Sequence, residues 1–276
     1  MKKLKFDKTM EQMKEYEYVD LGLPSGLKWA TMNVGATSET DYGSYFQWGD
    51  TEDKSNSDYS WAHYKYCNGS SNTMTKYCTN SLYGTVDNKT TLETVDDAAT
   101  QIMGSDWRMP TASEFQELYD ETLWVWCPCG NVGIKKTDES GNESIEYIAY
   151  PTGYFVFKTV SDKNRRGTFT KDENDNLIGY TATSGTVYYH GAHEVTKGDV
   201  TSIADGDTHI FFPANGYAIG TGVDSRGSYG LYWSSSLHPS LSIYGLGLGF
   251  YSGGIGPQCN STRFCGFCVR SVLRNK

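Results

Sequence analysis

The sequence predicts an α+β fold in which two helices sit among many short antiparallel strands. Only two stretches, 91–103 and 111–121, combine helical spacing of apolar residues with capping signals. Most of the chain after residue 17 is short strand-like runs broken by Gly, Asn, Asp and Ser. Turns such as DESGN and DENDN punctuate residues 131–208, which read as one long β-rich insert.

Residues 1–17 are charged, with Phe6, Met10 and Met13 at helical spacing, and read as a flexible arm ahead of a single domain spanning 18–276. YVDLGLPSGLKWATMNVG suggests two strands around a Pro24–Gly26 turn, and DYGSYFQWGD continues in alternation. Residues 51–90 are a polar loop region with scattered aromatics. In TLETVDDAATQIM, Leu92, Val95, Ala99 and Ile102 share one helical face, and Gly104 stops the helix. Thr111 is the natural N-cap of the second helix, with Glu114 completing a capping box and Phe115 and Leu118 supplying the buried stripe. DWRMP and YWSSS read as hinges joining the helices to the terminal sheet, which requires Trp107 and Trp233 to be buried. IFFPANGY, GLYWSSS and GFCVRSVL close the chain as strands.

With 276 residues, of which 38% are hydrophobic, the chain can bury a substantial core. A net charge of -9 and a pI near 5.1 argue against nucleic-acid binding and against docking on anionic membrane. No apolar run approaches the roughly 18 residues a membrane helix needs. The opening MKKLKF is basic but is not followed by the apolar stretch of a secretory signal, so the chain is either not exported by that route or begins at a processed start. The 21 tyrosines and 30 glycines, with abundant Ser and Asn, are the composition of a recognition surface. The seven cysteines are irregularly spaced and give no readable disulfide framework.

The tail, about 237–268, reads LHPSLSIYGLGLGFYSGGIGPQCNSTRFCGFC. Its one charged residue is Arg263, where an average composition would give roughly eight. Leu248, Phe250 and Ser252 interleave with Gly249 and Tyr251, and Ile255 is flanked by Gly254 and Gly256. That period of two suits a ribbon with one face in a core and the other carrying unrelated residues. A Gly-rich surface hairpin of no special role has the same pattern.

The ordered set YVDLGLPSGLKWATMNVGA, YFQWGD, DWRMPTASEFQEL, IFFPANGY, YWSSS and GFCVRSV resembles a paralogous surface-protein domain of gut Bacteroidetes and their phages. The resemblance runs from Tyr18 to Leu273 around the insert, and implies a C-type-lectin-like fold distantly related to the formylglycine-generating enzymes. The tail also resembles the variable region of diversity-generating-retroelement target proteins. There, adenines of AAC or AAT codons are randomised through an RNA template, which never yields Lys, Glu, Gln, Met or Trp. Gln258 alone departs from that inventory, as a fixed position or as a mark against the rule. The resemblance implies a ligand-binding set of His238, Leu241, Ile243, Tyr244, Gly249, Tyr251, Gly254, Gly256, Cys259, Asn260, Ser261, Phe264, Cys265 and Cys268.

Other constellations carry less. Cys127-Pro-Cys129 could join Cys67 and Cys78 around zinc, but a single intervening residue is an unusual spacing. Asp172, Asn174 and Asn176 open like a calcium loop, yet Leu177 replaces the turn glycine and Thr183 the bidentate Glu. His190 and His193 read as ordinary loop residues, and the Glu-Pro-Asn or Gln-Pro-Asp triplet of calcium-dependent sugar sites is missing from the sequence. Cys259, Cys265 and Cys268 could imitate a redox pair, but catalysis would need thiols of tuned acidity in a defined shell.

The expectation is a non-enzymatic binding protein without cofactor or metal, displaying a diversified C-terminal surface on a phage virion or bacterial cell. Its partner would be a macromolecule, a protein or glycan on a cell surface. The alternatives are a fixed adhesin or structural surface protein of the same fold, and an enzyme of the formylglycine-generating branch. The ligand and the oligomeric state are not readable from the sequence.

Overall fold

The computed structural model describes residues 16–54, 58–158, 167–182, 187–188 and 208–274. Its first strands are β1 (Tyr18–Val19), β2 (Trp29–Ala30), β3 (Trp107–Arg108), β4 (Thr122–Thr137) and β5 (Glu143–Lys158). There follow β6 (Gly167–Lys171), β7 (Leu177–Ala182), β8 (Val187–Tyr188), β9 (His209–Pro213), β10 (Tyr217–Ile219) and β11 (Gly222–Asp224). The last are β12 (Tyr229–Leu237), β13 (Tyr244–Tyr251), β14 (Gly254–Thr262) and β15 (Val272–Leu273); the helices are α1 (Ala98–Met103) and α2 (Ala112–Glu121).

Strands account for 42% of the described residues and helices for 10%, which corrects the expected α+β class to a mostly β architecture. Two causes stand out. The first expected helix shrinks to six residues because the chain before it is captured by β12: the Leu92 amide donates to Ser235 O at 2.9 Å. Asp97 then caps α1, accepting from the Thr100 amide at 2.9 Å. Val95 and Ile102 are consequently 65% and 40% exposed, while Leu92 and Ala99 are buried. Secondly, the insert's leading strands are long rather than short. β4 and β5, each of 16 residues, form one hairpin turned at Asp138, whose carboxylate accepts the amides of Ser140 and Asn142.

Four sheets result, with strand orders β1-β2-β15-β3, β10-β11, β12-β13-β14 and β8-β7-β6-β4-β5-β9. The six-stranded sheet is apolar on both faces at the base of the hairpin. Trp124, Val156 and Phe212 enter a core shared with Trp29, Phe115 and Leu118, while Val125, Phe155 and Phe211 enter a second with Phe169. A third core gathers Phe46, Trp48, Tyr64, Tyr77, Trp233 and Phe267. α2 has the full capping box between Thr111 and Glu114. Trp107 and Trp233 are buried, as the hinge reading requires. Phe6, Met10, Met13, Thr183, His190 and His193 lie outside the described residues.

The closing segment 263–273 runs between these sheets. Its backbone pairs with Trp48, Ala218, Phe46, Trp233, Val34, Ala30 and Lys28 in turn. Fully buried Arg270 spreads its guanidinium over Asn33 Oδ1 (2.8 Å) and the carbonyls of Ala30 (3.1 Å), Thr31 (2.9 Å) and Phe211 (2.7 Å). Burial lowers its pKa to about 10. A buried acceptor left without a donor costs about 1–3 kcal/mol, so Arg270→Met should lose at least about 3 kcal/mol in urea unfolding.

A second polar hub holds the 64–77 loop. Burial would raise the Asp96 carboxyl, but hydrogen bonds from Lys76, Tyr66 and Tyr77 hold it below its ordinary value. Glu114 is likewise lowered, burial being outweighed by the Arg108 guanidinium at 2.6 Å. A depressed carboxyl adds stability that is complete above the unfolded pKa and lost as pH falls through the folded one. Thermal unfolding should therefore drop steeply below about pH 4, and Asp96→Asn should flatten that limb.

Candidate functional site

The tail folds as β13 and β14, antiparallel and in register at Gly249↔Gly256, Phe250↔Ile255 and Tyr251↔Gly254, with β12 on the far side of β13. Alternation sends Tyr232, Leu248 and Phe250 inward, where Tyr232 and Phe250 stack with ring centroids 6.0 Å apart. Leu248 and Phe250 are buried core residues, as the period of two implies, and Ile255 is half-buried against them. Ser252 breaks the expected series because β13 ends at Tyr251, leaving Ser252 exposed in the turn.

On the outer face the third core covers only one end of the sheet, around Trp233, which stacks on Phe267 at 4.0 Å. The other end is open. There Tyr229, Leu231, Gly249, Tyr251, Gly254, Gly256 and Cys259 line a shallow groove of about 410 Å³. Tyr229 and Tyr251 stand together at its rim, 5.6 Å between centroids, 45% and 47% exposed. The groove exists because three of its strand positions have no side chain. At Gly249 a Cβ would press on the ends of two side chains, 2.8 Å from Cys259 Sγ and 3.0 Å from Leu231 Cδ2, whereas at Gly256 the nearest atoms would be at an ordinary 3.7 Å.

Five of the fourteen expected residues therefore meet in the groove: Gly249, Tyr251, Gly254, Gly256 and Cys259. The others are distributed along the ribbon. Half-buried His238, Leu241, Ile243 and Tyr244 form the β12–β13 turn, where His238 Nδ1 accepts the amides of Ser240 (3.2 Å) and Leu241 (3.1 Å). Asn260 is exposed on β14 opposite Leu246, and half-buried Ser261 is opposite Gly245. Phe264 packs edge-on against Trp61 at 5.0 Å.

Two expected residues require correction. Cys265 and Cys268 are buried, Cys265 beside Thr262 and Cys268 with its thiol toward Tyr42 O at 3.1 Å, so neither can meet a ligand. The chain turns inward after Thr262, and apart from half-buried Phe264 the residues through Val272 are buried. Burial pushes the thiols of Cys259 and Cys268 up to about 12, the opposite of a reactive cysteine. All seven cysteines are free, and among the described residues no group of three His, Cys, Asp or Glu is placed to hold a metal ion. Asp172 Oδ1 accepts the backbone amides of Asn174 and Asn176, and its Oδ2 accepts the Asn176 side-chain amide, closing a turn.

Four groove residues lie outside the expected set: Phe250 and Ile255, which also pack on the core, and Tyr229 and Leu231 of β12. The alternation in YGLYW, with Tyr232 facing the core, could have placed the latter two on the outer face. The tail's one charge, Arg263, is fully buried. It donates to Tyr64 Oη (2.7 Å) and to the carbonyls of Ser242 (2.8 Å), Tyr77 (3.0 Å) and Lys76 (3.0 Å), over the rings of Trp48 and Tyr64.

Comparison with protein-family models, curated proteins and solved structures returns no match.

The geometry divides the tail into two kinds of position. Gly256→Leu, Tyr251→Ser and Asn260→Ser should each change unfolding free energy by no more than about 0.5 kcal/mol. Leu248→Ala and Phe250→Ala should cost about 2–5 kcal/mol, and Gly247→Ala should also destabilise, since its Cβ would lie 2.2 Å from Tyr232 O.

Proposed function

We propose that this chain is a ligand-binding protein of a cell or virion surface, and that the outer face of β12–β14 is its recognition surface. The observation that carries the reading is the division of labour within one ribbon. Its inner positions are locked by the cores and by Arg263, while its outer positions form an open, largely uncharged groove with paired tyrosines at the rim. Rigid aromatic anchors with small neighbours can contact a partner at low entropic cost. Such an arrangement tolerates exchange of the outer residues without loss of the fold, which is what diversification by a retroelement requires. The resemblance of the tail to variable regions of that kind supports the same reading.

The partner is a macromolecule, and the groove lining has no formal charge to offer it. The test is to select a binding partner by display and then exchange outer residues of 237–268 for those of another copy of the gene. Affinity for the original partner should be lost while the melting temperature is kept; unchanged affinity would remove the reading. Binding should also survive EDTA and vary little between low and physiological salt, because exposed charges are what salt screens.

A further inference from the structure

We infer that the Tyr229–Tyr251 groove takes one uncharged apolar side chain, aromatic or branched aliphatic, from a protein partner. This rests on the outer face being the recognition surface and names the chemistry it accepts. The argument begins with the lining, whose side chains are two tyrosines, Leu231, Ile255, Cys259 and the edge of Phe250, between glycines. No Asp, Glu, Lys or Arg is among them, and burial holds the Cys259 thiol up at about 12. A charged group entering would lose hydration without a counter-charge.

A saccharide is matched no better. Its hydroxyls need several fixed donors and acceptors, because an unmet hydroxyl in a closed contact is penalised. The lining side chains supply only two tyrosyl hydroxyls and a thiol. Asn260 and Gln258 are exposed but stand outside the groove. An added β-strand along β14 is disfavoured as well. Pro257 lacks a backbone donor and lies at the break in register between Gly256 and Cys259, which interrupts the edge.

What remains is shape and apolar surface, and the groove is built in advance for both. The Tyr251 ring lies over the turn glycines, its edge 2.8 Å from where a Gly253 Cβ would be, and the Tyr154 hydroxyl donates to Tyr251 O at 3.3 Å. Tyr229 braces that ring from β12. A partner side chain therefore meets a fixed aromatic wall, Leu231 opposite and a glycine floor, with little ordering left to do.

Glycine-selective 15N labelling of the full chain tests this, since Gly249, Gly254 and Gly256 report from the groove itself. The probes are N-acetyl-tryptophanamide and N-acetyl-leucinamide, against N-acetyl-aspartamide, methyl mannoside and N-acetylglucosamine. Both apolar amides should shift the three signals saturably, with Kd on the order of millimolar for so few atoms. Gly256→Leu, whose Cβ would make only ordinary contacts, should weaken this by about tenfold or more with the spectrum otherwise unchanged. Leu231→Asp should do the same and provides a second, independent variant. A larger shift with either sugar would overturn the inference while leaving a binding face in place. Shifts confined to other glycines, or none at all, would overturn it too, and the exchange of outer tail residues would then decide separately whether the face binds anything.

Discussion

The closing segment from Arg263 to Leu273 is the constraint on which the other parts of the fold depend. It pairs with backbone from residues 28–48, 218 and 233, so strands from both ends of the chain assemble around it. Two guanidinium groups, paired with no carboxylate among the described residues, anchor it. Arg263 ties it to the 64–77 loop, and Arg270 ties it to residues 30–33 and to Phe211. Each satisfies its donors mainly on carbonyl and hydroxyl oxygens and lies over aromatic rings. Burying a charge is expensive unless every donor is matched. The arrangement is therefore tolerant of few alternatives, and it positions the segment uniquely.

That position explains how a ribbon poor in polar anchors can remain rigid. β13 and β14 enter directly before the closing segment, and their inner residues rest on a core assembled by α2, the six-stranded sheet and β12. Order is imposed from below and from the C-terminal side. The outer face has only to stay open, and the glycines keep it so. At Gly245 and Gly247 they are forced by Trp48 and by the Tyr232 carbonyl, whereas at Gly256 space remains for a side chain. The same residue type thus serves framework in one half of the ribbon and recognition in the other.

Features decided within a few residues were legible in the sequence. The Thr111–Glu114 capping box needs only a spacing of three, and the burial of Phe115, Leu118, Leu248 and Phe250 follows from helical and strand periodicity. The first helix was not legible in full. Its apolar spacing is helical, yet residues 90–92 are drawn into pairing with β12, and a long-range backbone bond outweighs a weak local propensity. Cys265 and Cys268 were misplaced for a related reason. Their proximity to Cys259 in sequence conceals the inward turn after Thr262, and only that turn separates an outer ribbon from a core strand.

The sequence by itself determined the period of two in the tail, its near-absence of charge, the second helix and the burial of Phe115, Leu118, Leu248 and Phe250. These depend on residue type and local spacing, which the chain states directly. Tertiary structure alone decided the mostly β balance, the interior fate of Arg263 and the existence of the groove. Arg263 finds Tyr64 across 199 residues, and the groove requires Tyr229 and Leu231 of β12 to stand beside β13 where the third core stops short. Contacts of that kind are set by the simultaneous packing of distant segments, and no local pattern encodes which of them will meet.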